Sequence, residues 1–556
     1  MFRSLLYKAF GILGNAEAEK LELASRTPLQ CQTEKLLALI AANKATAYGK
    51  EHNFASIKSV SDFQQSVPIN EYETLQPYID RIAAGEQNVL TSEMPFMFAT
   101  TSGTSGARKL IPVTRAYVKE FRNASVSSGF HLLKNFPGVA KGVSLSVFSP
   151  AEEGRTVGDI PYGAISGRLY LEEPPMIKRF ISPLPYEIFL ISDYESRYYT
   201  LLRCALLLPV STIYTLNPST IMVLARRLDT YSERLIDDIE HGTLNPPQPL
   251  PPHITKVLRN FLVAQPGRAK KLRKLLAKGQ LRPRDVWPKL SLICCWTRAA
   301  AAFYLQDFPE YFSDVPVCDI TYGASEGRGT VSITPSDQML AIRCHFFEFL
   351  PVDDQSDSRP LLCHELKEGE SYYILFTTAG GLYRYNINDI VKVVGWHNQT
   401  PLLEFQHKGG NISSFTGEKL TESQVTQAVQ SAAVDCSFRI RFFSVIPQFR
   451  PEPHYQLWFE PEIECTTSQI EELNRSFDRH LRLNNIEYEA KRDSNRLANT
   501  SVGVLQSGTY EELRKHLVSN GVPDAQVKIS HLNPKEDILE FLKQNLLVEE
   551  LSAKPL

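Results

Sequence analysis

From Met94 to Thr321 the chain repeats one pattern, a short apolar run followed by a stretch with helical periodicity. The runs are Met94–Ala99, Gly142–Phe148, Ser211–Leu216, Leu290–Cys295 and Val317–Thr321. Short strands separated by helices predict α/β layering around a sheet. Upstream, residues 17–90 carry helical periodicity, as in the segment that begins Thr33-Glu-Lys-Leu-Leu-Ala-Leu-Ile. Residues 331–405 are richer in strands, with Tyr372–Thr377 and Asp389–Val394 the clearest. The pattern then breaks at His407-Lys408-Gly409-Gly410, a polar turn. Beyond it the spacing predicts a compact α+β segment, with strands at Phe438–Val445 and His454–Phe459 and helices near Ser468–Leu483, Tyr510–Ser519 and Pro534–Leu546. The expected architecture is α/β: a large N-terminal domain of layered sheets and helices over 1–407, and a small C-terminal α+β domain over 408–556.

Length agrees with that division, since 556 residues at roughly 100–200 per domain give about three units, or one large domain with a satellite. Apolar residues at 43% and charged residues at 22% exclude a wholly disordered, collagen-like or coiled-coil chain. Sixty Lys and Arg balance 62 Asp and Glu, which lowers the expectation of a nucleic-acid binder. The nine cysteines form no CxxC pair and read as free thiols. The most hydrophobic stretch, Tyr199–Leu216, is broken by Arg203 and Pro209 and reads as a buried helix and strand. A soluble, cytoplasmic protein is the expectation.

Three motifs could carry chemistry. Thr100-Thr-Ser-Gly-Thr-Ser-Gly-Ala-Arg-Lys109 sets small hydroxyl and glycine residues behind an apolar run. Such a loop exposes backbone N–H groups and hydroxyls to an anion, and Arg108 and Lys109 suit a polyphosphate. It lacks the Gly-Lys-Ser/Thr ending of a Walker loop. The second motif, Thr321-Tyr-Gly-Ala-Ser-Glu-Gly-Arg-Gly-Thr330, formally contains G-x-S-x-G. A nucleophile elbow needs a helix directly after its serine, and here glycines and a β-like run come next. Tyr322 instead offers a stacking face, Ser325 a hydroxyl and Glu326 a hard carboxylate for Mg²⁺. The third, Gly380-Gly-Leu-Tyr-Arg-Tyr-Asn-Ile-Asn-Asp389, ends in a carboxylate able to accept two sugar hydroxyls.

Taken together and in this order, the motifs resemble the adenylate-forming superfamily. More closely they resemble the plant auxin-responsive acyl acid–amido synthetases and their bacterial relatives. Phe346-Phe-Glu-Phe-Leu-Pro351, Gly381-Leu-Tyr-Arg-Tyr385 and Gln526-Val-Lys528 extend the likeness over nearly the whole chain. The resemblance implies ATP and Mg²⁺ as cofactors, and a carboxylic acid and an amine, an amino acid, as substrates. Nucleic-acid and membrane partners are not expected, and the oligomeric state stays open, with a monomer the first expectation. By position, Ser102, Gly103, Thr104 and Ser105 would cradle the phosphates, Tyr322 would stack near adenine and Ser325 would contact the α-phosphate. Glu326 would hold Mg²⁺, Asp389 the ribose, and Lys528 would reach the acyl–phosphate bridge from a mobile C-terminal lid. The sequence departs from the plant pattern in a phosphate loop one residue shorter, and in Asn388, which stands where a glycine usually precedes the aspartate. An acyl-CoA ligase, a serine hydrolase built on Ser325 and an inactive binding module are the competing readings. Arg298 is a candidate partner for a substrate carboxylate, weighed against a plain surface role.

Overall fold

The computed structural model describes the chain apart from Met1 and residues 102–108, 299–304, 353–358, 410–411, 414–419, 449–451, 494–496, 525–526 and 553–556. Internal contacts divide it into two compact units. One comprises Met1–Thr297 and Asp307–Phe405, and the other Gln406–Leu556 with the segment Arg298–Gln306.

In the larger unit, all five apolar runs become strands. Four of them, Val143–Ser146, Val210–Tyr214, Leu292–Cys295 and Val317–Asp319, form a parallel sheet in that order. Val210–Tyr214 and Leu292–Cys295 are almost continuously buried, which is what a parallel sheet covered on both faces requires of its side chains. The first run shifts forward: its strand is Met97–Thr101, paired antiparallel with Lys109–Val113 and parallel with Pro161–Gly163.

A six-stranded sheet completes the unit, ordered Phe346–Pro351, Ser371–Thr377, Tyr385–His397, Thr400–Lys408, Gln338–Leu340 and Thr330–Ser332. Its aromatic residues Phe346, Phe347 and Phe376, with Tyr383 just before the third strand, share one core with Leu75, Ile79 and Phe98. Through that core the N-terminal helices, such as Pro28–Asn43 and Tyr72–Ala83, are fixed against the strands that carry the motifs.

The smaller unit has its own sheet, ordered Ile440–Gln448, His454–Pro461, Ser501–Leu505 and Leu546–Ser552. The helices Glu422–Asp435 and Thr467–Asn484 pack on it through Val425, Val429, Ile470, Leu473 and Phe477. The last predicted helix is shorter than expected. It spans Glu536–Gln544, because the chain turns at Asn545 and Leu546–Ser552 pairs antiparallel with Ser501–Leu505, a strand the sequence did not announce. All nine cysteines are free thiols. Among the described residues no helix is long and apolar enough to cross a membrane.

Candidate active site

The first motif begins as a strand, with Thr101 opposite Lys109 across the hairpin. Ser102, Gly103, Thr104 and Ser105 lie on the segment between these strands, outside the described residues. Just past the hairpin, the Thr114 hydroxyl accepts from the Tyr117 N–H at 3.1 Å, capping the helix Arg115–Asn135, and donates to the Ala379 carbonyl at 2.9 Å. A Cβ on Gly380 would lie 2.6 Å from the Pro112 oxygen. The hairpin of the first motif is therefore seated directly on the start of the third.

The second motif leaves the carboxyl end of Val317–Asp319, the edge strand of the parallel sheet. Carboxyl ends of strands are where open α/β sheets bind ligands. The motif folds into a tight loop. The Ala324 N–H donates to the Gly327 carbonyl at 2.8 Å, Gly323 and Arg328 face each other in a bridge, and the chain enters the strand Thr330–Ser332. No helix follows Ser325, so it sits on no nucleophile elbow. The glycines have packing reasons instead: a Cβ on Gly327 would lie 2.6 Å from the Phe376 ring, and one on Gly329 would overlap the ring of Tyr322.

Tyr322 is pinned from several sides. Its N–H donates to the Thr330 hydroxyl at 2.8 Å and to Gln338 Oε1 at 3.0 Å, and its ring lies parallel to that of Phe405, 5.4 Å away. Its hydroxyl donates to Asp389 Oδ2 at 2.7 Å. This bond joins the second and third motifs. Tyr322, 92% buried, is stacked on Phe405 and lies against Gly329, with its hydroxyl on Asp389.

Asp389 follows Asn388, whose φ is +63°. Here glycine costs nothing, and asparagine is among the L-residues best suited to the left-handed region. Asn388 thus takes a backbone conformation that glycine would also adopt freely. Pairing between Ser371–Thr377 and Tyr385–His397 also shifts register around Tyr373 and Leu375, opposite Asn386 and Ile390. Such an irregularity re-aims a side chain out of the ladder. The rest of this motif is scaffold. Arg384 forms a two-pronged ion pair with Glu348, Nε to Oε2 at 3.0 Å and Nη2 to Oε1 at 3.1 Å, and also donates to the Val67 carbonyl at 2.6 Å.

Glu326 is buried amid phenols. Burial first, and then the Glu326 charge, pushes the phenol pKa values of Tyr117 and Tyr385 upward; for Tyr322 burial leads, followed by Asp389 and then Glu326. The Tyr117 hydroxyl donates to the Ser325 carbonyl at 3.0 Å. Among the described residues no group of three or more His, Cys, Asp or Glu could hold a metal ion. Mg²⁺, however, is commonly held by one or two carboxylates together with substrate phosphates and water, and a single Glu326 carboxylate fits that arrangement.

In the smaller unit, Val527 and Ile529 point into a core with Leu513 and Leu542, and Lys528 between them is exposed. The segment belongs to no strand, contrary to its β-like composition. Gln526 lies outside the described residues. Arg298 is exposed. Three residues of the larger unit escaped sequence reasoning: Tyr117, His345, whose Nε2 accepts from the Arg328 N–H at 3.0 Å, and Arg328 itself. Only Arg328 had a signal, a cation inside a glycine-flanked motif.

Three family models match the chain in order: the GH3 family N-terminal domain over residues 17–317, the central domain over 338–408 and the C-terminal domain over 423–537. The chain belongs to the GH3 family. Among curated proteins it is 26% identical to a probable indole-3-acetic acid-amido synthetase of Arabidopsis thaliana, over 93% of this chain and 92% of that one. It is 25% identical to a jasmonoyl–L-amino acid synthetase of Nicotiana attenuata, over 96% of each. The solved GH3.15 acyl acid amido synthetase superposes with a TM-score of 0.87 over 97% of each chain at 22% identity, so the fold is shared from end to end.

Proposed function

We propose that this chain is an acyl acid amido synthetase, a ligase that activates a carboxylic acid with ATP and passes the acyl group to an amine, an amino acid. The observation that carries this reading is the Tyr322–Asp389 hydrogen bond, which joins two sequence-distant motifs beside the buried Glu326 in one unit. The full-length likeness to curated amido synthetases supports it.

A carboxylate is a poor electrophile. In the first step its oxygen attacks the α-phosphorus of ATP, the bond from that phosphorus to the bridging oxygen breaks, and pyrophosphate leaves. In the second step an amine nitrogen attacks the acyl carbon, the carbon–oxygen bond to AMP breaks, and the amine gives up a proton. Catalysis of the first step is mostly positioning and charge stabilisation. Ser102, Gly103, Thr104 and Ser105 hold the phosphates, Asp389 the ribose hydroxyls, and Ser325 lies along the α-phosphate. Tyr322 lies near the adenine and orients Asp389. Glu326 would hold Mg²⁺, which would supply positive charge to the phosphate oxygens. Lys528, on residues 408–556 acting as a lid, meets the oxygen of the acyl–phosphate bridge, where a compact mobile cation fits. Closure of that lid would shield the acyl-adenylate from water. The free thiols suit a reducing cytoplasm.

The product test uses the full chain with ATP, Mg²⁺, benzoate, phenylacetate, indole-3-acetate or octanoate, and either a mixture of amino acids or CoA. Amide and AMP from the amino-acid arm, with no thioester from the CoA arm, are expected. Thioester formation in preference to every amide would make the chain a CoA ligase and overturn the reading.

A further inference from the structure

Arg328 is the residue of the second motif to which the adenylation mechanism assigns no work. Its side chain is 91% buried, and a guanidinium stays charged at any working pH. A buried cation is costly unless paired, yet among the described residues no carboxylate pairs with it. Nε donates to the Thr330 carbonyl at 3.3 Å, and the guanidinium lies over the Phe121 ring, 5.0 Å from its centre. The ionisable groups within electrostatic reach are the phenols of Tyr214 and Tyr117 and the thiol of Cys344. Among the described residues its Nη groups have no acceptor, and the residue keeps 9% of its surface exposed.

The surroundings say which anion would sit there. Glu326 bears electrostatically on both Tyr322 and Tyr117, Asp389 on Tyr322, and Arg328 on Tyr117. The hydrogen bonds lay out the same order: Tyr322 binds Asp389 at 2.7 Å, the Tyr117 hydroxyl binds the Ser325 carbonyl beside Glu326 at 3.0 Å, and Arg328 closes the loop opposite Gly323, so the nucleotide sugar lies toward Asp389 and the guanidinium toward the other end. The Arg328 end is walled by Phe121, from the helix Arg115–Asn135, and Tyr214, at the carboxyl end of its strand, lies within electrostatic reach of the guanidinium. A triphosphate needs many donors and finds few among aromatic rings. A monoanion with an apolar body finds one two-pronged donor and a wall for the rest.

We infer that Arg328 anchors the carboxylate of the acyl acid before adenylation, and that Phe121 and Tyr214 line the place of its apolar body. The loop bond from the Arg328 N–H to His345 keeps the guanidinium's origin fixed. This inference rests on the proposed adenylation and names the residue that selects a carboxylate for it.

The test is steady-state ATP–pyrophosphate exchange by the full chain, with benzoate, phenylacetate, indole-3-acetate and octanoate as acids and the carboxamide of each as inhibitor. For R328M the KM for the acid should rise about 10- to 100-fold, the size of one charge-assisted contact. The KM for ATP should stay within about twofold, and carboxamide inhibition should be unchanged. R328K, which keeps the charge and loses the fork, should fall between, and it carries the test if R328M does not fold. An unchanged acid KM, an equal loss for acid and carboxamide, or a parallel rise in the ATP KM would overturn the inference while leaving adenylation standing. A wild-type chain inactive with every acid would overturn both.

Discussion

The Tyr322–Asp389 bond allows stability and nucleotide binding to be separated by three variants. In D389A the ribose loses a charged acceptor. Hydrogen bonds to charged groups contribute about 1.5–3 kcal/mol, which is roughly 10- to 150-fold in ATP affinity. The same change leaves the Tyr322 hydroxyl, donor of the 2.7 Å bond, without its acceptor in a site 92% buried. An orphaned buried donor costs about 1–3 kcal/mol of stability. Y322F removes that donor, so the D389A/Y322F double variant should regain stability over D389A yet stay as weak for ATP. Urea unfolding followed by tryptophan fluorescence reads the first quantity, and ATP titration in pyrophosphate exchange reads the second. Two results would refute the reasoning: D389A with wild-type ATP dependence, or a double variant in which affinity returns together with stability.

Further outcomes are expected. E326Q should weaken the dependence of exchange on Mg²⁺ without unfolding the chain, and a wild-type Mg²⁺ titration would move the metal role elsewhere. K528A should slow acyl-adenylate formation by about 10²–10³-fold and still convert a supplied acyl-adenylate with an amine; normal exchange by this variant would remove Lys528 from the mechanism. E348Q leaves Arg384 as a buried unpaired charge, as both side chains are at most 4% exposed, and should cost about 3–5 kcal/mol in urea unfolding. Burial holds the His345 imidazole down to about 3 from its ordinary 6.5, so the unfolded chain binds the extra proton between those values. Stability should therefore fall as pH drops below about 6.5, by up to ~1.4 kcal/mol per pH unit. Glu120, raised by burial above its ordinary 4.5, takes up its proton earlier in the folded chain and offsets part of this slope just above about pH 4.5. H345Q should flatten the slope between about pH 6 and 4, and an unchanged slope would place the acid sensitivity in other groups.

The sequence was most legible where local pattern and burial agree. The parallel strands could be read because a strand covered on both faces must be a short apolar run. The shift of the first strand toward Thr101 could not, since pairing with Lys109–Val113 set its end. Asn388 reads as a departure in sequence, and its left-handed φ of +63°, which asparagine tolerates, is visible only in the fold. The glycines and the β-like run after Ser325 already set the formal G-x-S-x-G match apart from a nucleophile elbow. The packing that requires Gly327 and Gly329 comes from Phe376, distant in sequence, and from Tyr322 across the loop. Tyr117 and His345 carried no local signal: one lies in an ordinary helix, the other beside a strand, and each matters through a single bond to the second motif. Most of the third motif proved to be scaffold, with Arg384 bound to Glu348, because a buried ion pair and a ligand-facing residue look alike in sequence.

The central claim is that the site makes an acyl-adenylate, and ATP–pyrophosphate exchange tests it most directly. Labelled pyrophosphate should enter ATP only when Mg²⁺ and a suitable carboxylic acid are both present, with no amine required. Exchange absent across a broad acid panel, with Ser325-dependent cleavage of a chromogenic ester in its place, would contradict the account.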